Sequence, residues 1–283
     1  MSYEFKRRLE KDLIEKLKQE PLWKKLELDC RGGDVYLAIR DGYISFYHKG
    51  GNLFKFGNNA FTTHIKYAMV IDTDDDAPKN YVCEDQLKEI PLIRNFVDGY
   101  SGIKKNCELY SGLEAKGIAN LYHKDSYFKR KSIFVLDIEV AFKKGDGKQE
   151  RIDILLYDND SQTLRFVEAK LFSNSALWST STPLVVEQMK GYEERINLHK
   201  DDLIKEYGQY IDGLRQIFGV ELNAPKNLDP KVSLLIFGFD DAQKKSDRFK
   251  DLIKDNPEYN NIPIYCKGDP KDLLPETLWK EAK

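Results

Sequence analysis

The spacing of apolar and polar positions changes several times along the chain, and each change marks an element. From Phe5 to Gln19 the apolar residues Phe5, Leu9, Leu13 or Ile14, and Leu17 recur at helical spacing, and Pro21 follows, so this stretch predicts a helix. Short β-type runs come next: LELDC, VYLAIR, YISFYH and LFKFG, divided by Gly32-Gly33, Asp41-Gly42 and Gly50-Gly51-Asn52. Asp-Gly between alternating runs is a strong hairpin signal. A further strand is expected over Phe61–Val70. The acidic run Asp72, Asp74, Asp75 and Asp76 lacks the glycine and distal glutamate of a calcium loop, and is expected to be a solvated linker.

Helical patterns follow over Glu84–Gly99, interrupted or restarted at Pro91, and over Asn106–Leu121, with Leu109, Leu113, Ile118 and Leu121 as candidate apolar positions. Gly112 and Gly117 weaken the second, at about 1 kcal/mol each in a helix interior. A basic loop, HKDSYFKRK, leads into the strand IFVLDIEVAF, and Gly145-Asp146-Gly147 turns the chain into RIDILLYD. Beyond the polar stretch SNSALWSTST, helices are expected from Pro183 over PLVVEQMKGYEERI and from Asp201 to Phe218, then a linker with Pro225 and Pro230. VSLLIFGF is a continuous apolar run, as in a strand buried on both faces. A helix over Asp240–Asp255 and a short strand over Ile262–Cys266 complete the pattern. The sum is an α/β chain of the α+β kind: an N-terminal helix and β-meander over residues 1–78, a helical connector over 79–104, and a second domain over 105–283.

One stretch carries chemistry. In RIDILLYDNDSQTLRFVEAK the apolar runs are broken only by turn-forming residues. A loop of Asn159 to Gln162 would set Asp158 opposite Thr163. Counting back in antiparallel register then puts Asp153 opposite Glu168, and the period of a strand puts Lys170 on the same face. Two carboxylates at ~4 Å repel by on the order of 4 kcal/mol at an effective dielectric of ~20. A divalent cation reverses that sign, and carboxylate oxygens are what Mg²⁺ prefers. The simpler alternative is an exposed hairpin whose Lys170 neutralises one carboxylate.

Composition narrows the classes. The chain has 283 residues, 41% hydrophobic and 12% aromatic, enough for a folded core. A net charge of −2 excludes a globally basic nucleic-acid binder but not a local basic groove. The four cysteines form no CxxC pair and suggest neither zinc nor a disulfide framework. With no long apolar run and no signal-like N-terminus, a cytoplasmic protein without a membrane segment is expected. His48 and His64 are expected to be structural or surface histidines, and the aromatic residues of the meander to be core.

The order helix, three-strand meander, helix, strand, with Asp153 followed by Glu168-Ala169-Lys170 at strand ends, resembles the PD-(D/E)XK nuclease superfamily. Gln188 and Tyr192, four apart on the next helix, look like the QxxxY motif of its RecB-like and lambda-exonuclease-like branch. Arg151-Ile152-Asp153 departs from the pattern in lacking a proline before the aspartate. The resemblance covers roughly residues 105 to 240 and implies a restriction-endonuclease-like core. It further implies a metal-dependent nuclease acting on DNA, in phage defence, restriction or repair. Asp153, Glu168, the Ala169 carbonyl and a helix carboxylate would hold Mg²⁺ or Mn²⁺. Glu114 is chosen for that carboxylate, with Glu108 second and Glu139 a further candidate. Lys170 would orient or deprotonate the water, and Gln188 and Tyr192 would position Lys170 or the substrate backbone. Lys124, Lys129, Arg130, Lys131, Lys143 and Lys144 are candidate phosphate contacts, each charge run alone being more ordinarily a solvated face. The alternatives are a catalytically inactive nuclease fold that binds nucleic acid or a partner protein, and an RNA-directed nuclease. The N-terminal domain could select the target, a protein partner or a second copy.

Overall fold

The computed structural model describes residues 5–68, 81–84, 95–124, 126–128, 131–143, 149–179 and 181–280. Contacts divide the chain into two compact units, one of Lys6–Lys124 with Asp212–Val220, the other of Met1–Phe5, Asp125–Ile211 and Glu221–Lys283.

In the first unit, helices α1 (Lys11–Gln19) and α2 (Trp23–Gly32) precede an antiparallel sheet in sequence order. Its strands are β1 (Tyr36–Ile39), β2 (Ile44–His48), β3 (Gly51–Gly57), β4 (Ala60–His64) and β5 (Tyr81–Cys83). The helices α3 (Ile65–Ala68), α4 (Phe96–Tyr110) and α5 (Leu113–Lys124) follow their places in the chain. Tyr36, Phe46, Tyr47, Phe54, Phe56 and Phe61 are buried, with Phe96 packed among them, so most aromatic meander residues are core; Tyr43 is exposed and Tyr67 half-buried, against that expectation.

The helix expected from Phe5 starts at Lys11, because Glu10 is extended. LELDC is helical, not a strand. Trp23, Leu26 and Cys30 are buried on one helical stripe, and Gly33, at φ 83, ends it in the left-handed conformation. The strand expected over Phe61–Val70 stops at His64, where α3 begins. The single helix expected over Asn106–Leu121 is two, parted at Ser111, whose backbone is extended and whose Oγ donates to the Cys107 carbonyl at 2.7 Å. Leu109 and Leu113 flank this break and are 68% and 76% exposed, so they are not core positions. His48 is buried, with Nδ1 2.8 Å from the Asp34 carbonyl. The acidic run from Asp72 to Asp76 and most of the helix expected over Glu84–Gly99 lie outside the described residues.

The second unit holds a mixed sheet in the order β10-β9-β8-β7-β6. Strands β6 (Ile133–Lys143), β7 (Gln149–Asp158) and β8 (Thr163–Leu171) form the expected antiparallel meander. The helices α6 (Leu184–Leu198) and α7 (Lys200–Phe218) lie between β8 and β9 in the chain, as expected. Strand β9 (Asn227–Phe237) lies parallel to β8, and β10 (Ile264–Lys267) parallel to β9. Pro230, expected in a linker, lies inside β9. The register jumps from Leu164↔Leu228 to Phe166↔Val232, so Pro230 sits in a bulge where no ladder donor is required. The helix expected over Asp240–Asp255 is broken into α8 (Asp241–Lys244), α9 (Asp247–Phe249) and a π-helical turn (Lys250–Lys254), with Ser246 capping α9 through its side chain. The chain is thus mixed α/β with two sheets. Among the described residues no helix is long and apolar enough to cross a membrane.

Candidate active site on the β7–β8 hairpin

The hairpin register follows from its turn. Asp158 pairs with Thr163 and the ladder continues to Ile154↔Val167, as the loop Asn159–Gln162 predicts. The Asp158 carboxylate organises the turn by accepting hydrogen bonds from Ser132 Oγ, from Ser161 Oγ at 2.7 Å and from the Asp160 N–H at 3.1 Å. Burial alone would raise its pKa, but these hydrogen bonds win and hold it below the ordinary carboxylate value.

One step past Ile154↔Val167, the same register sets Asp153 level with Glu168. Here the ladder ends and a side chain takes over. Asp153 Oδ2 accepts the Ala169 N–H at 2.8 Å. On β8 the Lys170 ammonium donates to Glu168 Oε1, and the two residues are 8% and 1% exposed. At this level β8 is paired with β9, Glu168 opposite Leu234 and Lys170 opposite Ile236. A buried carboxylate needs a charge partner of this kind.

Tyr192 and Gln188 meet as their spacing on α6 predicts, Gln188 Nε2 donating to Tyr192 Oη at 2.5 Å. Tyr192 in turn donates to the Arg151 carbonyl, two residues before Asp153. The motif therefore engages the backbone of β7. Burial first, then the Glu168 charge, pushes the Tyr192 phenol well above its ordinary pKa, so it remains a donor. Arg195, one turn on, pairs with Glu150 at 2.7 Å and holds α6 to the start of β7.

The candidate third carboxylates part company. Glu114 is in the first turn of α5 and Glu108 is on α4, both in the other unit. Glu139 lies on β6 between the pairs Ile138↔Ile154 and Val140↔Ile152, which puts it beside Asp153 in the neighbouring strand. Its φ of 48 is in the left-handed region, and its carboxylate is 3.7 Å from Arg151 Nη1. Asp137, two residues earlier, is fully buried and accepts from Tyr207 Oη at 3.1 Å. Asp137 is not among the residues expected to act, although a lone carboxylate in the apolar run IFVLDIEVAF is a signal. Among the described residues no group of three or more His, Cys, Asp or Glu side chains is placed to hold a metal ion.

Of the candidate phosphate contacts, Lys131 is exposed and pairs with Glu276 at 3.1 Å. Lys129, Arg130 and Lys144 lie outside the described residues. Lys124 ends α5 and Lys143 ends β6, and their side chains are likewise outside. Comparison of the chain with protein-family models, with curated proteins and with solved structures returned no match.

Proposed function

We propose that the chain is a metal-dependent nuclease that hydrolyses DNA phosphodiester bonds on a restriction-endonuclease-like core made of β6 to β9 with α6 and α7. The observation that carries this reading is the buried Lys170–Glu168 pair beside Asp153, whose carboxylate is fixed on the intervening Ala169 N–H. A hairpin evolved only for stability has little use for two carboxylates and an ammonium at one level of the sheet.

The donor set fits a hard divalent cation. Asp153, Glu168 and the Ala169 carbonyl offer oxygen only, and Mg²⁺ commonly takes one or two carboxylates and fills its shell with water and phosphate. Mg²⁺ or Mn²⁺, when bound, supplies charge for the scissile phosphate and acidifies a water. The remaining work belongs to side chains. Asp153 holds the Ala169 peptide in place, which fixes the direction in which Glu168 and Lys170 project. Lys170 gives an ammonium to the negative charge that grows on phosphorus-bound oxygens and orients the attacking water; as the neutral amine it would take that water's proton. Tyr192, oriented by Gln188, clamps the β7 backbone next to Asp153. Restriction, phage defence and repair are all roles that such an activity would serve.

The test is cleavage of supercoiled plasmid, linear duplex, single-stranded DNA and RNA with Mg²⁺, Mn²⁺ or EDTA, beside Asp153→Asn and Lys170→Met. Metal-dependent DNA cleavage lost in both variants is expected. Cleavage confined to RNA would move the substrate, and equal cleavage by both variants would sink the assignment. Nucleic-acid binding with no cleavage under any metal would identify a binding-only protein.

A further inference from the structure

Along the free edge of the second sheet runs a groove of about 940 Å³ that the hairpin chemistry does not use. One wall is the segment from α8 through the π-helical turn, and the other is β10 with the chain that follows it. Its floor is apolar, with Phe249, Ile253, Ile262 and Ile264. Six lysines line it, Lys244, Lys245, Lys250 and Lys254 from one wall and Lys267 and Lys280 from the other, and no Asp or Glu is among the lining residues.

This bias is not a matter of composition. The segment 240–255 carries five aspartates (240, 241, 247, 251 and 255) against four lysines and Arg248. The fold sorts them, so that four lysines face the groove and none of the aspartates does. Among the described residues none of the six ammonium groups has an ion-pair partner. Opposed cationic walls over an apolar floor attract a polyanion that also has flat apolar faces.

Position connects the groove to the candidate site. The parallel register aligns Lys170 with Ile236 and Ile236 with Cys266, a groove residue. Two strand spacings, roughly 10 Å, therefore separate Lys170 from the groove along one row of the sheet. Lys170 lies near the carboxyl end of β8, and the groove runs the length of β10 beside it, Cys266 and Lys267 being at the same end.

We propose that this groove binds single-stranded nucleic acid, phosphates on the lysine walls and bases against the floor. The choice of nucleic acid over an acidic peptide rests on the phosphodiesterase reading of the neighbouring site. A duplex hides its base faces and would leave the floor unused, whereas an unpaired strand uses both surfaces.

Binding is measured by fluorescence anisotropy on the full chain carrying Asp153→Asn, in EDTA, so that cleavage plays no part. The probes are labelled single strands of about 20 nucleotides, DNA and RNA, the matched duplex, and polyglutamate. The single strands are expected to bind most tightly. Lys250→Glu/Lys254→Glu should weaken them about tenfold or more and flatten the log–log salt dependence by about 0.7 per lost phosphate contact. Lys244→Glu/Lys245→Glu provides a second, independent pair at exposed positions, and Lys11→Glu/Lys16→Glu on α1 should change nothing. Unaltered binding in both groove variants, a preference for duplex or polyglutamate, or no binding at all overturns the proposal. Plasmid cleavage by the chain with native Asp153 is followed separately. A wrong groove leaves that cleavage intact, and a wrong hydrolytic site leaves the effect of the groove variants on binding intact.

Discussion

Asp153 on β7 accepts the backbone N–H of Ala169 on β8 at 2.8 Å, replacing a rung of the β-ladder with a side-chain bond. The bonded peptide lies between Glu168 and Lys170, so one carboxylate sets the geometry of the other two charged groups. Stability and chemistry should therefore separate by substitution. Asp153→Ala removes the acceptor and should cost about 1–3 kcal/mol in urea unfolding. Asp153→Asn keeps an acceptor and should unfold close to the native protein, yet lose cleavage by at least ~100-fold. Loss of stability in both variants, in proportion to loss of activity, would show that Asp153 is only structural.

Lys170 and Glu168 are a buried pair, and such pairs are costly to break from one side. Lys170→Met leaves the Glu168 charge without its ammonium and should destabilise by about 3–5 kcal/mol. Lys170→Met/Glu168→Gln should recover most of that loss while remaining inactive. Denaturant midpoints of the native chain, both single variants and the double variant decide the matter, and additive losses in the double variant would refute the pairing.

Tyr192→Phe keeps the ring, whose centroid lies 6.5 Å from that of Phe142, and removes only the hydroxyl between Gln188 and Arg151. An unfolding cost of about 1 kcal/mol is expected. If the hydroxyl also steadies β7 for Asp153, kcat should fall while KM for DNA stays near its native value. A change confined to KM would place Tyr192 on the substrate instead.

His123 supplies a pH dependence. Burial first, then the charges of Lys49 and His48, lowers its pKa from 6.5 to about 3, and its Nε2 accepts the Lys49 N–H at 3.1 Å. Below pH 6.5 the unfolded chain takes up a proton that the folded chain refuses until about pH 3. This contribution to stability is thus complete above pH 6.5 and declines as pH falls, by up to about 1.4 kcal/mol per pH unit. Urea midpoints should drop between about pH 6.5 and about pH 4.5. His123→Asn should lessen that slope, and a slope identical to the native one would remove His123 as its source.

How far the chain was legible differs from element to element. The β7–β8 register could be read because turn chemistry and a two-residue period leave few ways to close the loop. Gln188 and Tyr192 could be placed on one face because four residues make about one helical turn. LELDC misled because a five-residue apolar and polar mixture satisfies both periods. Burial of Trp23, Leu26 and Cys30 on one stripe settles it as helix. The break at Ser111 was visible only as a weakness at Gly112.

The sequence by itself determined the local rules: the Asn159–Gln162 turn, the shared face of Glu168 and Lys170, and the three runs that become β1, β2 and β3. These depend on contacts a few residues apart or on fixed periods. Tertiary structure alone decided that Asp153 bonds the Ala169 peptide and that Pro230 lies in a bulge of β9. It also sorted the lysines of 240–255 into a groove. Those outcomes depend on which strands become neighbours, and neighbours are chosen by burial of the whole sheet and not by any single stretch of the chain.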